Sequence, residues 1–314
     1  MSSFDWNDIT PIPQDDGPHP LASIAYEPEY RKAMDLLRAV MAKEEYSERA
    51  LALTGEIIEM NPAHYTVWEY RLRILKSIGS KLIPKDQWLI NDVDNPVVEV
   101  ETWINRVTLD NPKNYQVWNY RQNLEAVGSL QFYNGEHLLV QMVLDDDSKN
   151  FHAWSHLKWV VGRAKGLLPC QAELKFSEKW IEQDVRNNSA WSYRHFVYEN
   201  DKSIADKLKH DQHLFDVEVE YVEQCISLAP QNESPWNYLQ ALYEFRPNID
   251  QLQTVCEKYY PENGSDLKSS HALEMLVKIY MHKKDDRAIK ALDLLETYVP
   301  VRKGYWKYLR DQLN

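Results

Sequence analysis

The sequence predicts an all-α protein, a right-handed α-α superhelix in which antiparallel helical hairpins stack into a crescent-shaped solenoid. Three observations predict this fold class. A tryptophan-centred segment recurs along the 314 residues, and glycine contributes only 9 of them, too few for an all-β chain that turns on glycines. No segment keeps the alternation of period two that indicates a β-strand. One hairpin cannot bury its apolar face alone, whereas stacked hairpins can, so such a repeat predicts a solenoid.

Five segments carry the repeat, and their signature tryptophans are Trp68, Trp118, Trp154, Trp191 and Trp236. The segments are residues 61–71 (NPAHYTVWEYR), 111–121 (NPKNYQVWNYR), 148–159 (SKNFHAWSHLKW), 186–196 (RNNSAWSYRHF) and 230–240 (PQNESPWNYLQ). Successive signature tryptophans are 50, 36, 37 and 45 residues apart. A period in the mid-thirties suits two helices joined by short turns. We therefore expect each tryptophan to pack between neighbouring hairpins.

The remaining elements follow from the same repeat. Residues 1–25 are expected to form an extended, proline-containing segment, and residues 26–314 a single repeat domain. Within it, residues 79–97 lengthen the first spacing and are interpreted as an inserted loop. The apolar pattern of residues 136–144 predicts the partner helix of a hairpin. Residues from about 250 to 314 lack the signature tryptophan but keep a helical pattern, which predicts terminal capping hairpins.

Each signature begins in a polar stretch that contains proline or asparagine, and these residues predict a turn that leads into a helix. Proline is well placed in a first helical turn, and asparagine is a good N-cap. The run at residues 15–18 (DDGP) is interpreted as a turn as well. The stretch from residue 198 to residue 212 lengthens the fourth repeat.

Charge and cysteine content exclude several functional classes. Asp and Glu outnumber Lys and Arg by 48 to 36, which gives a net charge of −12, so no nucleic-acid partner is expected. The cysteines Cys170, Cys225 and Cys256 form no CxxC motif, which argues against a zinc or redox motif and favours a reducing compartment. Without a signal peptide, a prenylation box of its own or an apolar run of about 18 residues, the chain is expected to be cytoplasmic, with no stable membrane insertion.

The sequence contains no motif for a complete active site. It lacks the nucleotide-binding, nucleophile-elbow and metalloprotease signatures. His152 and His156 lie four residues apart on a predicted helix, but no third ligand is near, so no metal site is expected. The run at residues 145–147 (DDD) resembles a magnesium-diphosphate motif and is better interpreted as a solvated helix end. By itself the chain is therefore predicted to be a scaffold.

The loops of the repeats offer a recognition edge, because successive hairpins place equivalent loops along one rim. Lys113, Asn114 and Gln116 lie where the second signature enters its helix. Helix N-termini favour anions, and a lysine adds a mobile full charge that suits phosphate. A glutamine amide can donate a hydrogen bond to a carboxylate.

The recurrent N-P-x-N-Y-x-x-W-x-Y-R signature resembles the repeat of protein prenyltransferase α subunits, in particular the subunit shared by protein farnesyltransferase and type I geranylgeranyltransferase. The resemblance runs from about residue 5 to residue 312. The supporting stretches are residues 15–18 (DDGP), 47–50 (SERA), 111–118 (NPKNYQVW), 149–154 (KNFHAW), 184–189 (DVRNNS), 237–239 (NYL) and 305–306 (YW).

The resemblance implies a heterodimer in which this chain pairs with a farnesyltransferase β subunit or a type I geranylgeranyltransferase β subunit. Such an enzyme transfers a farnesyl or geranylgeranyl group from its diphosphate to the cysteine of a C-terminal CaaX motif, on proteins such as Ras- and Rho-type GTPases. Zinc is then expected in the β subunit and magnesium with the diphosphate, and no metal is expected on this chain.

The resemblance also assigns roles to single residues. Lys113 matches the lysine that reaches the diphosphate and is the expected catalytic residue. Tyr115 matches the tyrosine beside the isoprenoid diphosphate, and Gln116 the glutamine that contacts the CaaX carboxylate. Three further residues are expected to bind substrate in the same cleft, namely Asn114, Phe151 and His152. Phe151 stands where relatives carry tyrosine, so that position lacks a hydroxyl group.

Two other functions compete with this interpretation. The α subunit of Rab geranylgeranyltransferase has similar repeats but lacks the Lys-Asn-Tyr-Gln run of residues 113–116. A non-catalytic TPR-like adaptor would keep a regular 34-residue period, whereas the spacing here is irregular and tryptophan dominates.

Overall fold

The described residues fold into helices, several of which are joined by short turns. The computed structural model describes residues 4–78, 103–123, 130–164, 169–260 and 267–313, and no β-strand occurs in these ranges. The all-α prediction is thereby confirmed. The chain divides into two compact units, Met1–Leu167 and Leu168–Asn314. The single repeat domain stays a prediction, and the insertion expected at residues 79–97 lies outside the described residues.

The first unit is a series of helices in which neighbours along the chain pack against each other. Its described helices are α1 (Pro28–Ala42), α2 (Glu48–Met60), α3 (Tyr65–Ile78), α4 (Trp103–Asp110), α5 (Tyr115–Asn123), α6 (Leu130–Asp146) and α7 (Phe151–Ala164). The predicted partner helix at residues 136–144 lies within α6. Helix α3 also packs against α5, and α5 against α7, which places the helices that carry the signatures side by side.

The second unit continues the same pattern. Its described helices are α8 (Cys170–Gln183), α9 (Asn188–Asn200), α10 (Lys202–His210), α11 (Gln212–Leu228), α12 (Glu233–Phe245), α13 (Ile249–Glu257), α14 (Ser270–Lys283), α15 (Arg287–Tyr298) and α16 (Lys303–Asp311), with a 3-10 turn at Pro300–Arg302. The short helix α10 provides the extra length of the fourth repeat. None of the helices in the described ranges is long and apolar enough to cross a membrane.

The signature tryptophans are buried, with at most 4% of each exposed, and each forms a hydrogen bond to the turn that precedes its own helix. In all five repeats the indole Nε1–H donates to the carbonyl six residues earlier, at 2.8–2.9 Å. Trp68 also contacts Tyr120 of the next repeat, with ring centroids 4.8 Å apart, and Trp118 contacts His156 at 5.1 Å. Packing between repeats is therefore confirmed for Trp68 and Trp118, and the bond to the turn is a second role that the spacing did not reveal.

The asparagine caps in the turns agree with the prediction from the sequence, whereas the positions of the prolines differ from it. The asparagine four residues before the signature tryptophan accepts a backbone N–H of the following helix in four repeats, through Asn114, Asn150, Asn187 and Asn232. Pro62 and Pro112, by contrast, lie in the turn ahead of the helix and not in its first turn. At the N-terminus, Gly17 adopts φ 77° and donates its N–H to Asp15 Oδ1 at 2.8 Å, which confirms the turn expected there.

A buried ion pair joins successive repeats in the first unit. The Arg121 guanidinium donates to both carboxylate oxygens of Glu136 on α6, at 3.0 and 2.5 Å. The same carboxylate lies 2.6 Å from His156 Nε2 on α7. Arg121 and Glu136 are each 2% exposed, so the pair depends on its mutual hydrogen bonds to offset the loss of hydration.

The second unit contains an equivalent arrangement around Glu218. Arg194 donates to its two oxygens at 2.6 and 2.7 Å. The hydroxyl groups of Tyr198 and Tyr238 donate to the same carboxylate at 2.9 and 2.7 Å. Burial opposes the charge on Glu218, but Arg194 and the two hydroxyl groups lower its pKa. In both units a buried glutamate thus binds the signature arginine of a neighbouring helix. The glutamate follows the arginine by 15 residues in the first unit and by 24 residues in the second.

We expect the Glu136 pair to make stability depend on acid pH. Burial opposes the charge of Glu136, but Arg121 and His156 hold its pKa at about 2, against 4.5 for an ordinary glutamate. Because the folded-state pKa lies below the unfolded one, the stabilisation is fully present above pH 4.5 and is lost as the pH falls towards 2. Urea unfolding at pH 5 and pH 3 should show that the free energy of unfolding falls less in Glu136→Gln than in the parent. Equal losses in both proteins would contradict this role.

Candidate functional site

Aromatic side chains cluster where α5 and α7 begin. Tyr115 and Phe151 are the first residues of these helices, and each is 68% exposed. The His152 ring meets Tyr115 and Phe151 edge-on, with centroid distances of 4.2 and 5.5 Å. Large rings so exposed do not stabilise a core, and their grouping is typical of a surface that binds another molecule. The structure thus brings together three of the predicted site residues.

Helices α5 and α7 run parallel, which places their N-termini at the same end. Tyr115 contacts His152, and one turn further along, Trp118 contacts His156. The first pair lies at the exposed rim, whereas the second pair is buried. The positive dipole ends of two adjacent helix starts therefore face the same side of the unit, where they favour an anion.

The two histidines of α7 have different roles. Partial burial lowers the pKa of His152, so its ring is neutral at pH 7 and can both donate and accept a hydrogen bond. His156 is buried and its Nε2 contacts Glu136, so it serves the buried ion pair and not the rim. Across the residues that the structure describes, no group of three or more His, Cys, Asp or Glu side chains could hold a metal ion.

Lys113 extends from the turn of the second repeat towards the turn of the third. Its Nζ lies 3.2 Å from Asp147 Oδ2, and 77% of its side chain is exposed. Asp147 follows the last residue of α6, so the acidic run at residues 145–147 ends a helix, as the sequence predicted. An exposed ion pair of this kind is weak, which leaves the ammonium available to a more highly charged anion.

Asn114 and Gln116 form the entrance to α5. The Asn114 side chain accepts the backbone N–H of Gln116 at 2.8 Å, which orients the first turn of the helix. Gln116 is half-buried, and it follows the exposed residue Tyr115 in the chain. The capping bond thus fixes the backbone of Gln116 at the helix start.

One further exposed aromatic residue lies at a helix start equivalent to those of Tyr115 and Phe151, and it was not among the predicted site residues. Tyr65 begins α3 at the signature position that Tyr115 and Phe151 occupy in the next two repeats, and it is 70% exposed. Because α3 packs against α5, this ring extends the row of exposed aromatic side chains. The signal was available in the sequence, since NPAHY and NPKNY align residue for residue.

Comparisons with known proteins show which family the chain is similar to. The family profile "Protein prenyltransferase alpha subunit repeat" matches residues 47–78, 101–125, 133–164, 170–201 and 215–246. The protein farnesyltransferase/geranylgeranyltransferase type-1 subunit alpha of Candida albicans is 36% identical, over 100% of this chain and 98% of its own. The geranylgeranyl transferase type-2 subunit alpha of the same organism is 30% identical over 52% of this chain and 47% of its own.

A solved structure is similar over the full length. It is described as Candida albicans protein geranylgeranyltransferase-I complexed with GGPP. The match has a TM-score of 0.83 at 34% identity and covers 100% of both chains.

Proposed function

Because the chain belongs to the protein prenyltransferase α-subunit family, we propose that it is the α subunit of a heterodimer that prenylates CaaX proteins. The substrates are farnesyl or geranylgeranyl diphosphate and proteins such as Ras- and Rho-type GTPases. The observation that carries this proposal is the exposed rim of the first unit. There a weakly paired lysine and three exposed aromatic rings stand at the starts of adjacent helices, where they do not contribute to the core.

The reaction forms a thioether. The sulfur of the CaaX cysteine attacks the first carbon of the prenyl group, the bond from that carbon to the diphosphate oxygen breaks, and pyrophosphate leaves. Negative charge grows on the departing oxygen, so a cation placed there lowers the barrier. Lys113 supplies that cation, and the neighbouring helix start adds partial positive charge. In this proposal, Tyr115 and His152 donate hydrogen bonds to the same diphosphate.

We assign the metal chemistry to the partner subunit. The resemblance to the family implies a zinc site in the β subunit, and we therefore place zinc there. A zinc ion bound in that subunit would hold the CaaX cysteine as the reactive thiolate. We place magnesium with the diphosphate.

We place the complex in the cytoplasm. The cysteines of this chain, Cys170, Cys225 and Cys256, form no disulfide bond, as suits a protein of that reducing compartment.

Prenyl transfer to a fluorescent CaaX peptide tests the proposal. The chain is assayed alone, with a farnesyltransferase β subunit, and with a type I geranylgeranyltransferase β subunit, in the presence of zinc and magnesium. We expect activity in the two mixtures and none with the chain alone. If both β subunits are active with another α subunit and neither is active with this chain, the proposal fails. A Rab enzyme subunit or a TPR-like adaptor would then be the better interpretation.

Gln116→Ala is expected to weaken peptide binding selectively. A side-chain amide that donates to a carboxylate makes a hydrogen bond to a charged group, and its loss should raise the KM for the CaaX peptide roughly tenfold. The affinity for the prenyl diphosphate should stay within error of the parent. Gln122→Ala, on the same helix but beyond its first turn, is the matched control. An unchanged peptide KM in Gln116→Ala would rule out this contact.

A further inference from the structure

We propose that Asp147 is a positioning residue for Lys113. Its carboxylate holds the ammonium of Lys113 at the rim while no ligand is bound, and it releases the ammonium when a diphosphate enters. The inference rests on the proposed function, since it concerns the same anion site. The observation behind it is the 3.2 Å contact between Lys113 Nζ and Asp147 Oδ2, which joins the turns of two successive repeats.

Asp147 and Lys113 differ in mobility, so that one partner is fixed and the other adjusts to it. Asp147 is held on three sides, because its N–H donates to the carbonyl of Val143, its carbonyl accepts the N–H of Asn150, and its Oδ1 accepts the N–H of Lys149. The Lys113 side chain has a long flexible stem and is 77% exposed. The fixed carboxylate therefore determines where the mobile ammonium rests.

The resting place lies beside the aromatic cluster. The turn that carries Asp147 leads directly into α7, whose first two residues are Phe151 and His152. The contact thus holds the Lys113 side chain in an orientation that runs from the start of α5 towards the start of α7. A diphosphate bound between these two helix starts would find the ammonium already on its side, so less rotamer freedom is lost on binding.

The same carboxylate also competes with the ligand. A diphosphate carries more charge than one carboxylate, so it displaces Asp147, but the contact with Asp147 must be broken first. Asp147→Asn removes the competing charge and keeps an oxygen that can accept the N–H of Lys149. We expect the loss of this competition to outweigh the loss of positioning. Because exposed ion pairs are weak, the Kd for inorganic pyrophosphate should fall only roughly two- to fivefold.

A double-mutant cycle on the α–β heterodimer tests the inference. The Kd of inorganic pyrophosphate is measured by calorimetry for the parent, Asp147→Asn, Lys113→Ala and the double variant. We expect tighter binding from Asp147→Asn when Lys113 is present and a clearly smaller change when it is replaced. Asp147→Glu should bind like the parent. Asp184→Asn is the matched control, because Asp184 Oδ1 accepts the N–H of Arg186 in the equivalent turn of the fourth repeat.

Three results would overturn the inference. One is an equal change in both backgrounds, which would mean that Asp147 acts on the anion directly and not through Lys113. The others are no change in either background and no pyrophosphate binding to the parent complex. The cycle needs no turnover, so it is independent of the prenyl-transfer assay. An active parent complex with no coupling between the two residues would reject the role of Asp147 and leave the proposed function intact.

Discussion

Lys113→Ala is expected to lower the kcat of prenyl transfer roughly 10- to 100-fold, less than the loss typical of a buried oxyanion donor, because Lys113 is largely exposed. The charge on the departing diphosphate grows as the bond to the prenyl carbon breaks. The ammonium therefore stabilises the transition state more than the ground state. The KM for the prenyl diphosphate should change much less than kcat. Steady-state kinetics of the heterodimer measure both quantities.

Two variants make this result specific. Lys113→Arg keeps the positive charge and should recover part of the activity. Lys32→Ala removes another exposed lysine, one that pairs with Glu29 at 3.1 Å on α1, and should leave the kinetics unchanged. A kcat in Lys113→Ala equal to that of the parent would remove Lys113 from the catalytic residues. A similar loss in Lys32→Ala would point to a general effect of surface charge.

Trp118→Ala is expected to lower the free energy of unfolding by about 3–5 kcal/mol, the usual loss for truncating a large buried ring. The ring of Trp118 is 4% exposed and packs against His156 on α7. Its Nε1–H also donates to the carbonyl of Pro112 at 2.8 Å. The substitution thus leaves a cavity between repeats and frees the turn that carries Lys113. Urea unfolding of the full chain, followed by far-UV circular dichroism, measures the effect.

Graded variants keep this prediction testable if Trp118→Ala does not fold. Trp118→Phe retains a ring but loses the bond to Pro112, so it should cost clearly less than the alanine variant. Tyr115→Ala, three residues away on the same helix and exposed, should change stability by less than about 0.5 kcal/mol. A loss below 1 kcal/mol in Trp118→Phe and an equal loss in Tyr115→Ala would together show that the signature tryptophan is not the contact that joins the repeats.

Much of the fold could be predicted from short stretches of sequence. The spacing of the tryptophans predicts hairpins, and the asparagines that precede the helices predict the caps, because both depend on contacts within about one turn. The positions of Lys113, Asn114 and Gln116 at a helix start follow from the same local pattern. Their proximity to Phe151 and His152 was inferred only from the resemblance to a family. A local pattern does not report which two helices become neighbours.

The sequence by itself determined the helical repeat, its turns and the residue types presented at the rim. Only the tertiary structure decided which side chains meet. The ion pair of Arg121 with Glu136 and the contact of Lys113 with Asp147 join residues 15 and 34 positions apart. The physical reason is range: helix periodicity arises from contacts three or four residues apart, whereas these pairs depend on how whole helices pack. That packing also buries His156 and leaves His152 at the rim.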